Sequence, residues 1–75
     1  MDIKVAFGQV LREVRKEKNI SQEQLALQSD IDRTYISKLE RGKYQPTLET
    51  ILALAPVLGC PPAELVERVE KLLQN

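Results

Sequence analysis

The sequence predicts an all-α domain of five short helices, and three features carry that prediction. Apolar residues recur at three- and four-residue spacing, Ser, Thr and Asp stand where helices would begin, and Asn or Gly stands where they would stop. The first helix opens near Ile3 or Val5, and Phe7, Val10, Leu11 and Val14 form its apolar stripe. Asn19 suits a left-handed stop, with Arg15, Lys16 and Lys18 gathered where the helix dipole favours cations. Ser21 and Gln24 have the spacing of a capping box for the second helix, Ile20 can staple its entrance, and Leu25 and Ala26 are its inner face. Ser29-Asp30 interrupts it after about two turns of helix. Asp32 is placed to cap a third helix running to Glu40 or Arg41, with Gly42 as its stop. Thr47 caps a fourth, whose face is Leu48, Ile51, Leu52, Ala55 and Leu58. Pro56 lies inside it and predicts a kink or an early end, and Gly59 closes it. The fifth, about 62–73, begins with proline and repeats Leu65, Val66, Val69, Leu72 and Leu73.

Size and composition narrow the function classes. Seventy-five residues make one domain, 1–75, that buries only about 60% of its unfolded surface, so a second copy is a natural supplement to its stability. The chain has no His, only three scattered Gly and a single Cys60. That inventory lacks a His base, a phosphate loop, a disulfide and a metal-ligand set, so the expectation is no enzyme, no metal and no cofactor. With no signal peptide and no apolar run of about 18 residues, an intracellular, reduced, cytoplasmic protein is expected. Net charge is zero, which argues against nucleic-acid binding from charge alone, but the charge is unevenly placed. Residues 33–43 hold Arg33, Lys38, Arg41 and Lys43 against Glu40 alone.

The second and third helices, joined by a tight turn, form a helix-turn-helix over 21–41. At about 100° per residue, Ile36 and Leu39 share one side of the third helix. Arg33, Thr34, Ser37, Lys38 and Arg41 fan over the opposite side, with Tyr35 and Glu40 on the flanks. A narrow apolar face and a long cationic, hydroxyl-bearing one are what a helix in the DNA major groove requires. A merely solvated polar face is the alternative.

The stretch "SQEQLALQSDIDRTYISKLERGKYQPTLETILALAPVLG" resembles the Cro/C1-type, or Xre-type, helix-turn-helix transcriptional regulators. It shares their Ser-Gln-x-x-Leu-Ala opening, their Tyr-Ile-Ser-x-Leu-Glu-Arg-Gly recognition helix and stop, and a Pro-Thr-Leu fourth-helix start. The likeness spans about residues 5 to 73, and "DRTYISKLERG" is also similar to the controller proteins of restriction–modification systems. Asp30 replaces the family's turn glycine, and Pro56 is a second departure.

The resemblance implies a compact, lambda-repressor-like fold and a homodimeric regulator, associated with the bacterial nucleoid, that binds an inverted-repeat operator in double-stranded DNA. Arg33 and Thr34 take its base-reading positions; Ser37 and Lys38, a turn further on, are placed for base or phosphate contact. Gln22, Tyr35, Arg41, Lys43 and Tyr44 are the expected phosphate contacts. Arg15 and Glu40 hold matching basic and acidic positions, for a structural ion pair. Val57, Leu58, Leu65, Val66, Val69 and Leu73 make an apolar arc wider than one small domain covers, and are expected at a dimer interface. No small-molecule effector or membrane partner is expected. The neutral net charge and acidic fifth helix keep a second class open: an antitoxin or other interaction module of the same fold, whose main partner is a protein.

Overall fold

Asp2 opens the chain's first helix, α1 (Ile3–Glu17), its carboxylate accepting from the Val5 amide at 2.9 Å. The computed structural model describes residues 1–74 and continues with α2 (Gln22–Ser29), α3 (Arg33–Glu40), α4 (Leu48–Leu58) and α5 (Pro62–Gln74). Ala6, Phe7, Val10, Leu11 and Val14 bury the stripe of α1, against which α3 and α5 pack. Leu25 of α2, Ile36 and Leu39 of α3, Leu54 and Leu58 of α4 and Leu65 of α5 complete one core, all fully buried.

The helix ends follow local chemistry. Ser21 and Gln24 make both hydrogen bonds of a capping box, and Thr47 accepts from the Thr50 amide. Asn19 and Asp30 take the left-handed conformation at φ 57° and 60°, as do Gly42 and Gly59. After each of these four, the next amide reaches back to a carbonyl five residues earlier: Ile20 to Arg15, Ile31 to Ala26, Lys43 to Lys38 and Cys60 to Ala55. Asp30 therefore serves where a glycine would cost less, the short carboxylate being among the few side chains that tolerate this region.

Three expectations about local structure are corrected. Pro56 does not bring the early end it could have caused: Val57 and Leu58 continue α4 beyond it, and Gly59 then closes the helix. The inner face of α4 is Leu54, Ala55 and Leu58, with Ile51 half-buried; Leu48 and Leu52 are 70% and 52% exposed. A helix apolar nearly all round gives no phase, and the stripe 51-54-55-58 is the one that meets the other helices. Asp32 precedes α3 but makes no side-chain capping bond.

Candidate nucleic-acid interface

Only three residues, Asp30, Ile31 and Asp32, separate α2 from α3. The left-handed Asp30 reverses the chain, and the half-buried Ile31 packs against the core behind it, fixing the corner. Of the eight residues of α3, two, Ile36 and Leu39, are buried. Arg33 and Thr34 are exposed at its first turn, Ser37 and Lys38 are half-exposed one turn on, and Arg41 and Lys43 are exposed just beyond its end. None of these six side chains is walled off by the protein body.

Two hollows flank this ridge. One, about 180 Å³, lies between α2 and α3 and is lined by Gln22, Arg33, Thr34 and Ser37. The other, about 430 Å³, is on the far side, lined by Asp32, Thr34, Tyr35, Lys38, Tyr44 and Gln45. Gln22, Arg33 and Ser37 thus line one hollow and Tyr35, Lys38 and Tyr44 the other, Thr34 lines both, and Arg41 and Lys43 line neither.

The ridge is held at a fixed angle from behind. Arg15 of α1 donates to Glu40 of α3 through Nε at 2.6 Å and Nη2 at 3.0 Å, and its Nη1 donates to the Ile20 carbonyl at 2.9 Å. Gln22 donates to the same Glu40 carboxylate at 3.0 Å. One largely buried carboxylate therefore ties α1, α2 and α3 together, and every partner is charge-complementary or hydrogen-bonding. The Gln22 amide retains a second N–H that its Glu40 bond does not use.

Gly8 adds a constraint that helical periodicity gives no hint of. A Cβ there would collide with the Leu39 carbonyl oxygen and stand 2.8 Å from that of Glu40, so only glycine lets α1 rest against the end of α3. Gly42 then ends α3 with its amide on the Leu39 carbonyl, directing Lys43 and Tyr44 alongside the ridge.

On another face, Ile3, Pro46, Ile51, Val66, Val69 and Leu73 line an apolar groove of about 420 Å³. Val66 and Leu73 are 51% and 40% exposed. The expected dimer set needs correction here. Leu58 and Leu65 are fully buried in the monomer's own core and have no surface to offer, while Val57 and Val69 lie mostly against it. Among the described residues, no three His, Cys, Asp or Glu side chains are grouped to hold a metal, and no single helix is long and apolar enough to cross a membrane. Burial pushes the Cys60 thiol above its ordinary pKa, with the Glu64 carboxylate adding to the effect.

Comparison with known proteins places this arrangement in a wider set. The helix-turn-helix family profile matches residues 11–65. Control protein C.MunI of Mycoplasma sp is 44% identical over 71 residues, covering 93% of this chain and 96% of its own. The crystal structure of the restriction-modification controller protein C.AhdI from Aeromonas hydrophila superposes with a TM-score of 0.79 at 48% identity, over 83% of this chain and 94% of that one. The controller C.Esp1396I, solved as a tetramer in complex with its natural 35 base-pair operator, superposes with a TM-score of 0.87 at 28% identity, over 100% and 99% of the two chains.

Proposed function

The chain belongs to the Cro/C1-type helix-turn-helix family, and from that premise we propose that it is a sequence-specific DNA-binding transcriptional regulator of the controller kind. The observation that carries the proposal is the outward face of α3, where Arg33, Thr34 and Arg41 are exposed and Ser37 and Lys38 half-exposed while Ile36 and Leu39 anchor the helix. In this reading α3 lies in the major groove. The Arg33 guanidinium donates two hydrogen bonds to guanine O6 and N7, Thr34 meets a thymine methyl or a base edge, and Ser37 reads or supports beside it. Gln22, across the smaller hollow, offers its free N–H to a phosphate while its other one holds Glu40. Arg41 and Lys43 hold phosphates past the end of α3 and set the register.

Sequence-specific regulators of this kind read two-fold sites, and the apolar groove supports pairing with a second copy. Val66 and Leu73 of α5, with Ile3 and Ile51, give an exposed apolar face next to a small core that gains from being covered. In this reading the helix-turn-helix at 21–41 binds DNA and α5 pairs the copies. The protein works in the cytoplasm, on the nucleoid, with no catalytic step. Its similarity to controllers over nearly the whole chain favours a regulator over the protein-interaction alternative.

In vitro selection from random duplexes tests the proposal. An enriched inverted repeat with half-site centres one DNA turn apart, about 34 Å, is the expected result. Enrichment of no sequence over the starting pool would overturn it.

A further inference from the structure

The larger hollow contains an arrangement that contact by exposed side chains alone does not require. The rings of Tyr35 and Tyr44 stack with centroids 6.1 Å apart and planes inclined by 29°. The Lys38 ammonium stands over the Tyr44 ring, 5.6 Å from its centroid. Tyr44 reaches that place because the Gly42 turn folds the chain back along α3, the Lys43 amide bonding the Lys38 carbonyl at 3.0 Å. A cation over an aromatic face is attracted by the ring quadrupole, and two stacked rings hold that face still.

We propose that Tyr44 is a positioning residue for Lys38, fixing its ammonium over this hollow to grip a DNA backbone phosphate rather than a base. The proposal rests on the DNA-binding reading above and assigns Lys38 a role within it. The ring draws the ammonium toward the loop after α3, on the opposite side of the ridge from the hollow that Arg33 lines. A compact ammonium on a four-carbon stem suits a phosphate, whereas it lacks the planar fork that reads guanine from two directions. A lysine held before DNA arrives also loses less rotamer freedom on binding. Asp32 lines the same hollow, six residues before Lys38 and about 9 Å away along the helix axis. Its carboxylate disfavours a phosphate at that end, leaving the Lys38–Tyr44 end as the seat. The two hollows then serve the two DNA strands, the Gln22 side one backbone and the Lys38 side the other.

The test is a fluorescence-anisotropy titration of wild type, Lys38→Gln, Tyr44→Ala, Tyr44→Phe and the Lys38→Gln/Tyr44→Ala double variant. Each is measured on the selected duplex and on a random one, between 50 and 200 mM salt, on the order of the range where counterion release is steep. Circular dichroism melts accompany each variant to confirm folding. Lys38→Gln should weaken both duplexes by the same factor and lower the salt slope by about 0.9, the signature of one phosphate contact. Tyr44→Ala should weaken both duplexes about two- to fivefold, the worth of an exposed cation–π contact. Tyr44→Phe keeps the ring and should bind both duplexes more tightly than Tyr44→Ala, and the double variant should be no weaker than Lys38→Gln. A larger loss on the selected duplex than on the random one for Lys38→Gln would make Lys38 a base reader and overturn the proposal. So would a Tyr44→Ala variant equal to wild type, or a Tyr44→Phe variant as weak as Tyr44→Ala. A wild type that binds no duplex removes the DNA-binding reading and this proposal together, whereas normal wild-type binding with unaffected variants removes this one alone.

Discussion

Deleting either member of the Arg15–Glu40 pair should unfold the protein at markedly lower temperature, because the pair is the joint that fixes the recognition helix. Glu40→Ala strips the Arg15 guanidinium of two hydrogen bonds, at 2.6 and 3.0 Å, and leaves it only the Ile20 carbonyl. Arg15→Ala leaves the Glu40 carboxylate, 4% exposed, with Gln22 as its sole side-chain partner. Exposed pairs contribute about 0–1 kcal/mol, whereas breaking a buried one costs about 3–5 kcal/mol. With side-chain exposures of 12% and 4%, this pair belongs near the lower end of the buried class. A loss of about 3 kcal/mol per single variant follows. A domain of this length has about 4–11 kcal/mol in total, so each variant removes a quarter or more of it. At about 4–8 °C per kcal/mol, Tm falls by roughly 12 °C or more. The assay is urea unfolding followed at 222 nm, at one fixed protein concentration so that association does not shift the midpoint. An Arg15→Met/Glu40→Leu variant, which removes both charges together, should lose much less than the two single losses added. Single variants that each cost under about 0.5 kcal/mol, in the range of ordinary surface changes, would refute the reasoning.

Three further outcomes are expected. Gly8→Ala drives a methyl group into the Leu39 and Glu40 carbonyl oxygens, so α1 must move off α3; a loss of about 2 kcal/mol or more in the same urea assay is expected, and a neutral result would show that the contact is loose. Val66→Glu and Leu73→Glu change exposed side chains, so they should leave the helical spectrum intact while sedimentation shows the dimer dissociating and affinity for an inverted repeat dropping at least about tenfold. Unchanged sedimentation would remove α5 from the pairing surface. The Cys60 thiol, with its pKa raised by burial, holds less thiolate at neutral pH than a free cysteine and should react more slowly with a disulfide reagent, accelerating only as pH rises past the ordinary thiol range.

Sequence legibility followed the range of the interactions. The capping box at Ser21 and Gln24 and the stops at Asn19, Gly42 and Gly59 are local, spanning a few residues, and each was readable as chemistry. The phase of α4 was not, since Leu48, Leu52 and Leu54 are alike in type and only the approach of the other helices selects Leu54 for burial. The same ambiguity placed Leu58 and Leu65 on a pairing surface when the core consumes them. Arg15 and Glu40 lie 25 residues apart, so their pairing came through the family resemblance rather than any periodicity. Gly8 gave no signal, because a glycine within an apolar stripe looks the same whether or not a carbonyl lies against it. The Tyr35–Tyr44–Lys38 stack depends on how the Gly42 turn folds the loop back, which a helical projection of α3 does not contain.

The most direct measurement compares Arg33→Ala with Lys43→Ala on the selected duplex and on a random one at a single salt concentration. If the first turn of α3 reads bases, Arg33→Ala cuts the preference for the selected site by about 5- to 150-fold, the worth of one bidentate base contact, while Lys43→Ala weakens both duplexes alike and leaves the preference intact. An Arg33→Ala variant that loses the same factor on both sequences would contradict it.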